Sequence, residues 1–149
     1  MNKKILLVVH KRNRAYDHMA TFIMKELSDH YTFHKMIAYY HVNNNQGRIR
    51  KFLKQIYNFL RCFFFESYNR KIEYDLVVYL WWNIPNIIGS DNILAKKTLK
   101  GIYTELFPPG NTIKFTGEVS EFIDTHIRPA DGIIAGNRNI SRFYEGHGV

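Results

Sequence analysis

The strongest constraint on the fold is a set of short, continuous apolar runs separated by longer amphipathic stretches. The clearest runs are "KKILLVVH" (3–10), "YDLVVYLWW" (74–82) and "DGIIAG" (131–136). A run without polar alternation predicts a strand that is buried on both faces, which is typical of parallel sheets. Two further runs, "FHKMIAY" (33–39) and "TLKGIYTE" (98–105), bring the predicted strands to five.

Helical patterns lie between these runs. Apolar residues at helical spacing predict helices over 15–29 and 48–66, a short helix over 117–127 ended by Pro129, and a last helix that begins within 141–144. Strands that alternate with helices predict an α/β fold, here a three-layer α/β/α sandwich with a mainly parallel, Rossmann-like sheet. Because no repeat or linker divides the chain, residues 1–149 are predicted to form a single domain.

Several classes of protein are disfavoured by what the sequence lacks. The single cysteine, Cys62, excludes an intrachain disulfide and favours a reducing, cytoplasmic compartment. The chain has no GxxxxGK[ST], no GxGxxG after the first strand, no CxxC and no HExxH, and its seven histidines are scattered. We therefore predict no P-loop, no metal site and no bound cofactor in this chain.

Candidate binding residues follow from the predicted sheet, since ligands of open parallel sheets lie outside the carboxyl ends of the strands. The loops at those ends contribute His10, Arg12, Arg14, Trp82, Asn83, Glu105, Asn137 and Arg138. Carboxylate, amide and indole groups suit a polyhydroxylated ligand, whereas arginine binds phosphate through paired hydrogen bonds. Loops at strand ends are also polar simply because they face water, and the sequence leaves both interpretations open.

Three stretches carry a resemblance to a known family: "ILLVVHKRNRAYDHMA" (5–20), "LKGIYTELF" (99–107) and "ADGIIAGNRNISRFYEGHGV" (130–149). In this order they resemble the N-terminal, acceptor-side Rossmann-like domain of GT-B glycosyltransferases, of the nucleotide-sugar-dependent group called family 4 (glycosyl transferase group 1). Asn137 takes the place that a serine usually holds there. Lys11-Arg12-Asn13 departs from the Gly-Gly loop of many members.

The resemblance implies a function. It implies transfer of a sugar from a nucleotide-sugar donor to a glycan or lipid-linked acceptor, in bacterial surface polysaccharide synthesis. It also implies a catalytic or sugar-binding role for Glu105, which lies at or beside a position where many members have a histidine. The donor site would belong to a C-terminal GT-B domain, in the same gene or a separate chain, that residues 1–149 lack. We therefore expect this chain alone to transfer no sugar.

The positive charge of the chain is concentrated in residues 48–71, which hold seven basic residues and one acid, or +6 of the net +8. Helical spacing puts Ile49, Phe52, Leu53, Ile56, Phe59, Leu60 and Phe63 on one face, and Arg50, Lys51, Lys54 and Arg61 off it. One interpretation is a crossover helix packed on the sheet with a solvated basic edge. The other is an interfacial helix that holds the protein peripherally on the anionic inner face of the plasma membrane.

The main alternative to a transferase is a non-catalytic, flavodoxin-like or receiver-like binding domain, and a basic membrane-surface adaptor is a further one. A receiver has paired acids after the first strand, where this chain has the basic sequence "HKRNR" (10–14). A flavodoxin has a loop rich in serine and threonine at that place, which this chain lacks. Nucleic-acid binding is not predicted, because the sequence contains no known nucleic-acid-binding module.

Overall fold

The computed structural model describes residues 2–39, 49, 52–53, 55–57, 60, 72–85, 93–102 and 119–149. The named elements, in chain order, are β1 (Lys3–Lys11), α1 (Ala15–Leu27), β2 (Tyr31–Tyr39), β3 (Leu76–Tyr79), β4 (Thr98–Ile102), α2 (Val119–Phe122), β5 (Gly132–Ala135) and α3 (Arg138–Glu145). A π-helical segment, Ile123–Ile127, continues α2 directly. Residues 49, 52–53, 55–57 and 60 are also helical.

The strands form one parallel sheet in the order β2-β1-β3-β4-β5. The chain first moves from β1 outward to β2, and then crosses to the other side of β1 to add β3, β4 and β5. The direction of winding therefore reverses between β1 and β3, which makes this position the topological switch point of the sheet. The prediction of an α/β fold with a parallel sheet is confirmed.

The core explains why β1 reads as a continuous apolar run. Alternate residues of β1 point to opposite faces of the sheet, and both faces are covered. One face packs Ile5, Leu7 and Val9 with Val78 and Leu80, and the other packs Leu6 and Val8 with Val77 and Tyr79. Burying one such aliphatic side chain contributes about 1.5–3 kcal/mol to stability. Polar alternation would therefore be costly on either face of this strand.

Helices lie against both faces. α1 packs its Met19, Ala20 and Ile23 side chains on the face that carries Leu7 and Val78. On the other face, Ile102 of β4 packs with the segment that follows it in the chain. That cluster contains Phe122, Ile123, Ile127, Ile140 and Tyr144 from α2, the π-helical segment and α3.

One predicted helix boundary is wrong. α3 begins at Arg138, three residues before the predicted start, because Asn137 caps it: Asn137 Oδ1 accepts the backbone N–H groups of Asn139 and Ile140, both at 3.0 Å. The described part of the predicted helix over 117–127 is helical, as α2 followed by the π-helical segment, after which the Arg128 N–H donates to the Ile123 carbonyl at 2.8 Å. Within the described residues, no helix is both long and apolar enough to cross a bilayer.

Candidate functional site

Two aromatic rings meet at the switch point. His10 lies at the carboxyl end of β1, and Trp81 follows the end of β3 by two residues. Their ring centroids are 4.7 Å apart with an interplanar angle of 43°. The strands are held together beneath them, where the Leu80 N–H donates to the Val8 carbonyl at 2.9 Å. The two rings therefore mark the crevice in which doubly wound sheets bind their ligands.

The Asp17 side chain anchors the loop between β1 and α1. Asn13 has a φ of 55°, a left-handed conformation that asparagine tolerates better than most residues. The Asp17 carboxylate fixes it, because Oδ2 accepts the Asn13 N–H at 2.8 Å while Oδ1 accepts the Lys35 ammonium at 2.7 Å. Lys35 Nζ also donates to Thr21 Oγ1 at 3.0 Å. A single carboxylate thus connects the loop, α1 and β2.

This loop presents positive charge at the crevice. The side chains of Arg12 and Arg14 are exposed. Arg14 is the N-cap residue of α1, and its carbonyl accepts the N–H groups of Asp17 at 2.9 Å and His18 at 3.1 Å, with no side-chain cap. The amino end of a helix carries partial positive charge, and guanidinium groups match phosphate geometry. The arrangement suits an anionic group such as a phosphate.

Burial sets the charge state of His10, whereas hydrogen bonds and the Lys35 charge set that of Asp17. Burial, and secondarily the charge of Lys11, lower the pKa of His10 to about 4, so the imidazole is neutral at pH 7. Burial alone would raise the pKa of Asp17. The hydrogen bonds from Lys35 and Asn13 and the charge of Lys35 outweigh that effect and lower the pKa of Asp17. Asp17 is therefore an anion that balances Lys35, whereas His10 offers an uncharged ring to a ligand.

The two adjacent tryptophans have different environments. Trp82, the predicted binding residue, is 5% exposed, and its ring packs on Phe122 at 4.8 Å and on His126 at 5.5 Å between centroids. The half-buried Trp81 is the one that meets His10. Trp81 was not among the predicted binding residues, because the pattern "WW" does not say which ring faces the crevice. Asn83, the other residue predicted here, is half-buried and follows Trp82 directly.

Asn137 and Arg138 lie at the carboxyl end of β5, away from the switch point. Two strands separate β5 from β1, which corresponds to about 14 Å at the usual strand spacing. Asn137 serves as the N-cap of α3, while Arg138 is exposed. The structure therefore places these two residues at the same edge of the sheet as His10 without bringing them beside it. The predicted residues Glu105, Arg50, Lys51, Lys54 and Arg61 lie outside the described residues.

Lys100 is a second residue that sequence reasoning missed. It is 8% exposed in the middle of β4, and its Nζ donates to the His126 carbonyl at 2.5 Å. Burial, followed by the nearby Lys100 charge, lowers the pKa of His126. Lys100 thereby positions the π-helical segment against Trp82, and such segments occur frequently near functional sites. A lysine inside an apolar run was the available signal for this contact.

A cavity of about 430 Å³ lies at the opposite, amino edge of the sheet. It is lined by Asn2, Lys3, Lys4, Ile72, Glu73, Asp75 and Lys96. Asp75 ties this edge together, because Oδ2 accepts the Lys4 N–H at 2.9 Å and Oδ1 accepts the Lys96 ammonium at 2.8 Å. We place the candidate site at the switch point nevertheless, since ligands of parallel sheets bind at the carboxyl edge. Among the residues that the structure describes, no group of His, Cys, Asp or Glu side chains could hold a metal ion.

The fold and the crevice define a doubly wound, parallel α/β domain with strand order 2-1-3-4-5 and a basic, aromatic site at its switch point. Comparison of this chain with family models, curated proteins and solved structures found no match. Its function must therefore be inferred from the site itself, together with the resemblance noted in the sequence.

Proposed function

We propose that this chain is the acceptor-binding domain of a nucleotide-sugar-dependent glycosyltransferase, with the acceptor bound in the crevice at the switch point. One observation carries the proposal. The His10 and Trp81 rings lie 4.7 Å apart at this crevice, and the loop that follows β1 carries the exposed residues Arg12 and Arg14. An indole face packs on the apolar face of a sugar ring, and guanidinium groups bind phosphate. A phosphate-linked glycan acceptor offers both groups.

The proposed reaction joins an acceptor hydroxyl oxygen to the anomeric carbon of the donor sugar. The bond from that carbon to the nucleotide's phosphate oxygen breaks, and the hydroxyl proton passes to a base. With a pKa of about 4, His10 is a weak base at pH 7, so we assign it a role in positioning the acceptor. Glu105 remains the proposed base or sugar-binding carboxylate. The nucleotide sugar would be held by a C-terminal GT-B domain.

Intrinsic fluorescence offers a direct binding test, since the chain has only two tryptophans, Trp81 and Trp82, at or beside the crevice. We expect glucose 1-phosphate to change this fluorescence to saturation. Glucose alone and inorganic phosphate alone should bind more weakly, because each supplies only one of the two groups. Absence of saturable binding by the sugar phosphate, in a chain shown to be folded by circular dichroism, would contradict the proposed site.

The arginines provide the matched variants. Arg12→Gln and Arg14→Gln should each weaken sugar-phosphate binding by about tenfold or more, since each removes a charge-assisted hydrogen-bond donor. Arg142→Gln is the control, because Arg142 is an exposed arginine on α3. An equal effect of all three variants would mean that net charge, and not the crevice, attracts the ligand.

Turnover tests the assignment to a half-enzyme. We expect no sugar transfer when this chain is incubated with a panel of nucleotide sugars and lipid extracts. Transfer should require a C-terminal GT-B domain, supplied in the same chain or separately. Turnover by residues 1–149 alone would refute the proposed division of the enzyme.

A second candidate is a flavodoxin-like binding domain without transferase chemistry. The strand order 2-1-3-4-5 favours it, because flavodoxin-like domains have this order and bind FMN at the same switch point. The basic loop Lys11-Arg12-Asn13-Arg14 argues against it. A fluorescence titration with FMN separates the two candidates: tight binding of FMN with none of the sugar phosphate would favour the second.

A further inference from the structure

A helical part of the chain exposes its large apolar side chains. The described residues between 49 and 60 are helical, and all six of their large hydrophobic residues face solvent. The exposed fractions are 77% for Ile49, 62% for Phe52, 57% for Leu53, 39% for Ile56, 56% for Tyr57 and 45% for Leu60. These side chains therefore do not pack on the sheet as a crossover helix would require.

The exposed residues lie together on one side of the helix. At 100° per residue they span an arc of about 140°, with Ile49, Phe52, Leu53 and Ile56 at the spacing of an amphipathic face. Soluble monomeric proteins rarely expose a continuous apolar surface of this kind unless it meets a partner. These six residues form what we call the apolar face.

Charge indicates the partner. The sequence intersperses Arg50, Lys51, Lys54 and Arg61 with the apolar face, and residues 48–71 hold +6 of the net charge of +8. A second copy of the chain would bring an equal positive charge and repel the first. An anionic lipid surface offers negative headgroups next to an apolar interior, so it complements both features of this segment.

We propose that the helix carrying the apolar face docks in the plane of an anionic lipid bilayer. Phe52, Leu53 and Ile56 enter the boundary between headgroups and acyl chains, and the basic residues meet the headgroups. This interaction does not depend on the proposed sugar transfer, and it requires no ligand in the crevice. A failure to bind lipid would leave the crevice assignment intact. Likewise, a failure to bind sugar phosphate would leave the lipid proposal intact.

Vesicle flotation tests the proposal with the 149-residue chain. We expect it to float with vesicles of phosphatidylcholine mixed with phosphatidylglycerol, and much less with phosphatidylcholine alone. Binding should weaken as salt rises, because the Debye length falls from about 10 Å at 0.1 M to about 3 Å at 1 M. Failure of the wild-type chain to float with anionic vesicles at low salt would overturn the proposal.

Apolar variants test insertion. Phe52→Ser should lower the partition coefficient about tenfold or more, because it removes an inserted aromatic side chain. Phe22→Ser is the matched control, since Phe22 on α1 is 64% exposed, compared with 62% for Phe52. Circular dichroism checks the fold, and Leu60→Ser gives a second test from the same face. Equal loss of binding in the Phe22 and Phe52 variants would overturn the assignment of the face.

Charge variants test the headgroup contact. Changing Arg50, Lys51 and Lys54 to Glu should lower binding by about 100-fold, since each basic residue near the surface contributes about fivefold. The control changes Lys25, Lys97 and Arg142, which are exposed elsewhere, to Glu. Each triple variant loses six charges, which lowers the net charge from +8 to +2. Equal effects of both triples would overturn the proposed site.

Sedimentation equilibrium tests whether a second copy of the chain covers the apolar face. The wild-type chain should be monomeric without lipid. A stable dimer that Phe52→Ser dissociates would show that a second copy covers the apolar face, and it would overturn the lipid assignment.

Discussion

The Asp17 carboxylate accepts a hydrogen bond from the Lys35 ammonium, with 2.7 Å between Oδ1 and Nζ. This ion pair joins the start of α1 to the middle of β2. The same carboxylate accepts the Asn13 N–H, so the loop that carries the crevice arginines depends on this ion pair. The Asp17 side chain is only 9% exposed, whereas that of Lys35 is 27% exposed. A pair so placed is less screened by water than a surface pair and matters more for loop geometry.

We predict that Asp17→Asn lowers the free energy of unfolding by about 1–3 kcal/mol, because the buried hydrogen bonds lose their charged acceptor. Urea unfolding at pH 7 measures this change. Asp124→Asn is the control. Asp124 forms an exposed i,i+4 pair with Arg128 at 2.8 Å, so its loss should cost less than about 1 kcal/mol. Equal costs would mean that the Asp17 contacts contribute no more than a surface pair.

Low pH should weaken the contacts of three carboxylates, including that of Asp17. The pKa values of Asp17, Asp75 and Asp131 are all lowered from 3.8. A folded-state pKa below the unfolded value means that the contribution to stability is present above pH 3.8 and is lost as the pH falls through the folded pKa. We therefore expect stability to decline below about pH 4. Asp17→Asn should show a shallower decline in that window, measured by urea midpoints across the acid range.

The contribution of His10 to stability should change at a higher pH than that of the carboxylates. Its pKa in the folded protein is about 4, below the ordinary value of 6.5, so the unfolded chain binds the proton first. Its contribution to stability is therefore complete above pH 6.5 and is lost as the pH falls from 6.5 toward 4. His10→Gln should flatten this part of the stability profile. An NMR titration of His10 with a midpoint near 6.5 would contradict the prediction.

Two buried tyrosines should respond differently to loss of their hydroxyl groups. Tyr74 is fully buried, and its hydroxyl is 2.9 Å from Nδ1 of His34, so Tyr74→Phe should cost about 1 kcal/mol. Tyr144 is 2% exposed, and burial raises its pKa to about 12. Among the described residues no group forms a hydrogen bond with its hydroxyl, so Tyr144→Phe should be neutral or slightly stabilising. Thermal unfolding of both variants decides between these outcomes.

The strands could be predicted from the sequence because parallel strands are buried on both faces. Leu6 to Val9 are buried without interruption, so their apolar run was an unambiguous signal. The crevice was harder to predict. The contact between His10 and Trp81 depends on the order of the strands, and a pattern in one strand does not reveal its neighbour. The Asp17–Lys35 pair could not be predicted for a similar reason, since it joins residues 18 positions apart in different elements.

Asn137 shows how a predicted ligand residue can have a local structural role, and it supplies the last prediction. Its Oδ1 accepts two N–H groups at the start of α3, both at 3.0 Å. Asn137→Ala should therefore lower the free energy of unfolding by about 1 kcal/mol, whereas Asn137→Ser keeps a capping oxygen and should cost much less. Urea unfolding measures both variants.

The serine variant also separates capping from binding, because it preserves the cap and removes the amide NH₂ group. About 14 Å lies between the β1 and β5 strands, so Asn137 is remote from the ring pair at the switch point. We expect Asn137→Ser to bind glucose 1-phosphate as the wild type does in the tryptophan titration. A tenfold loss of affinity with unchanged stability would show that the ligand extends along the edge of the sheet from β1 to β5, and that Asn137 contacts it.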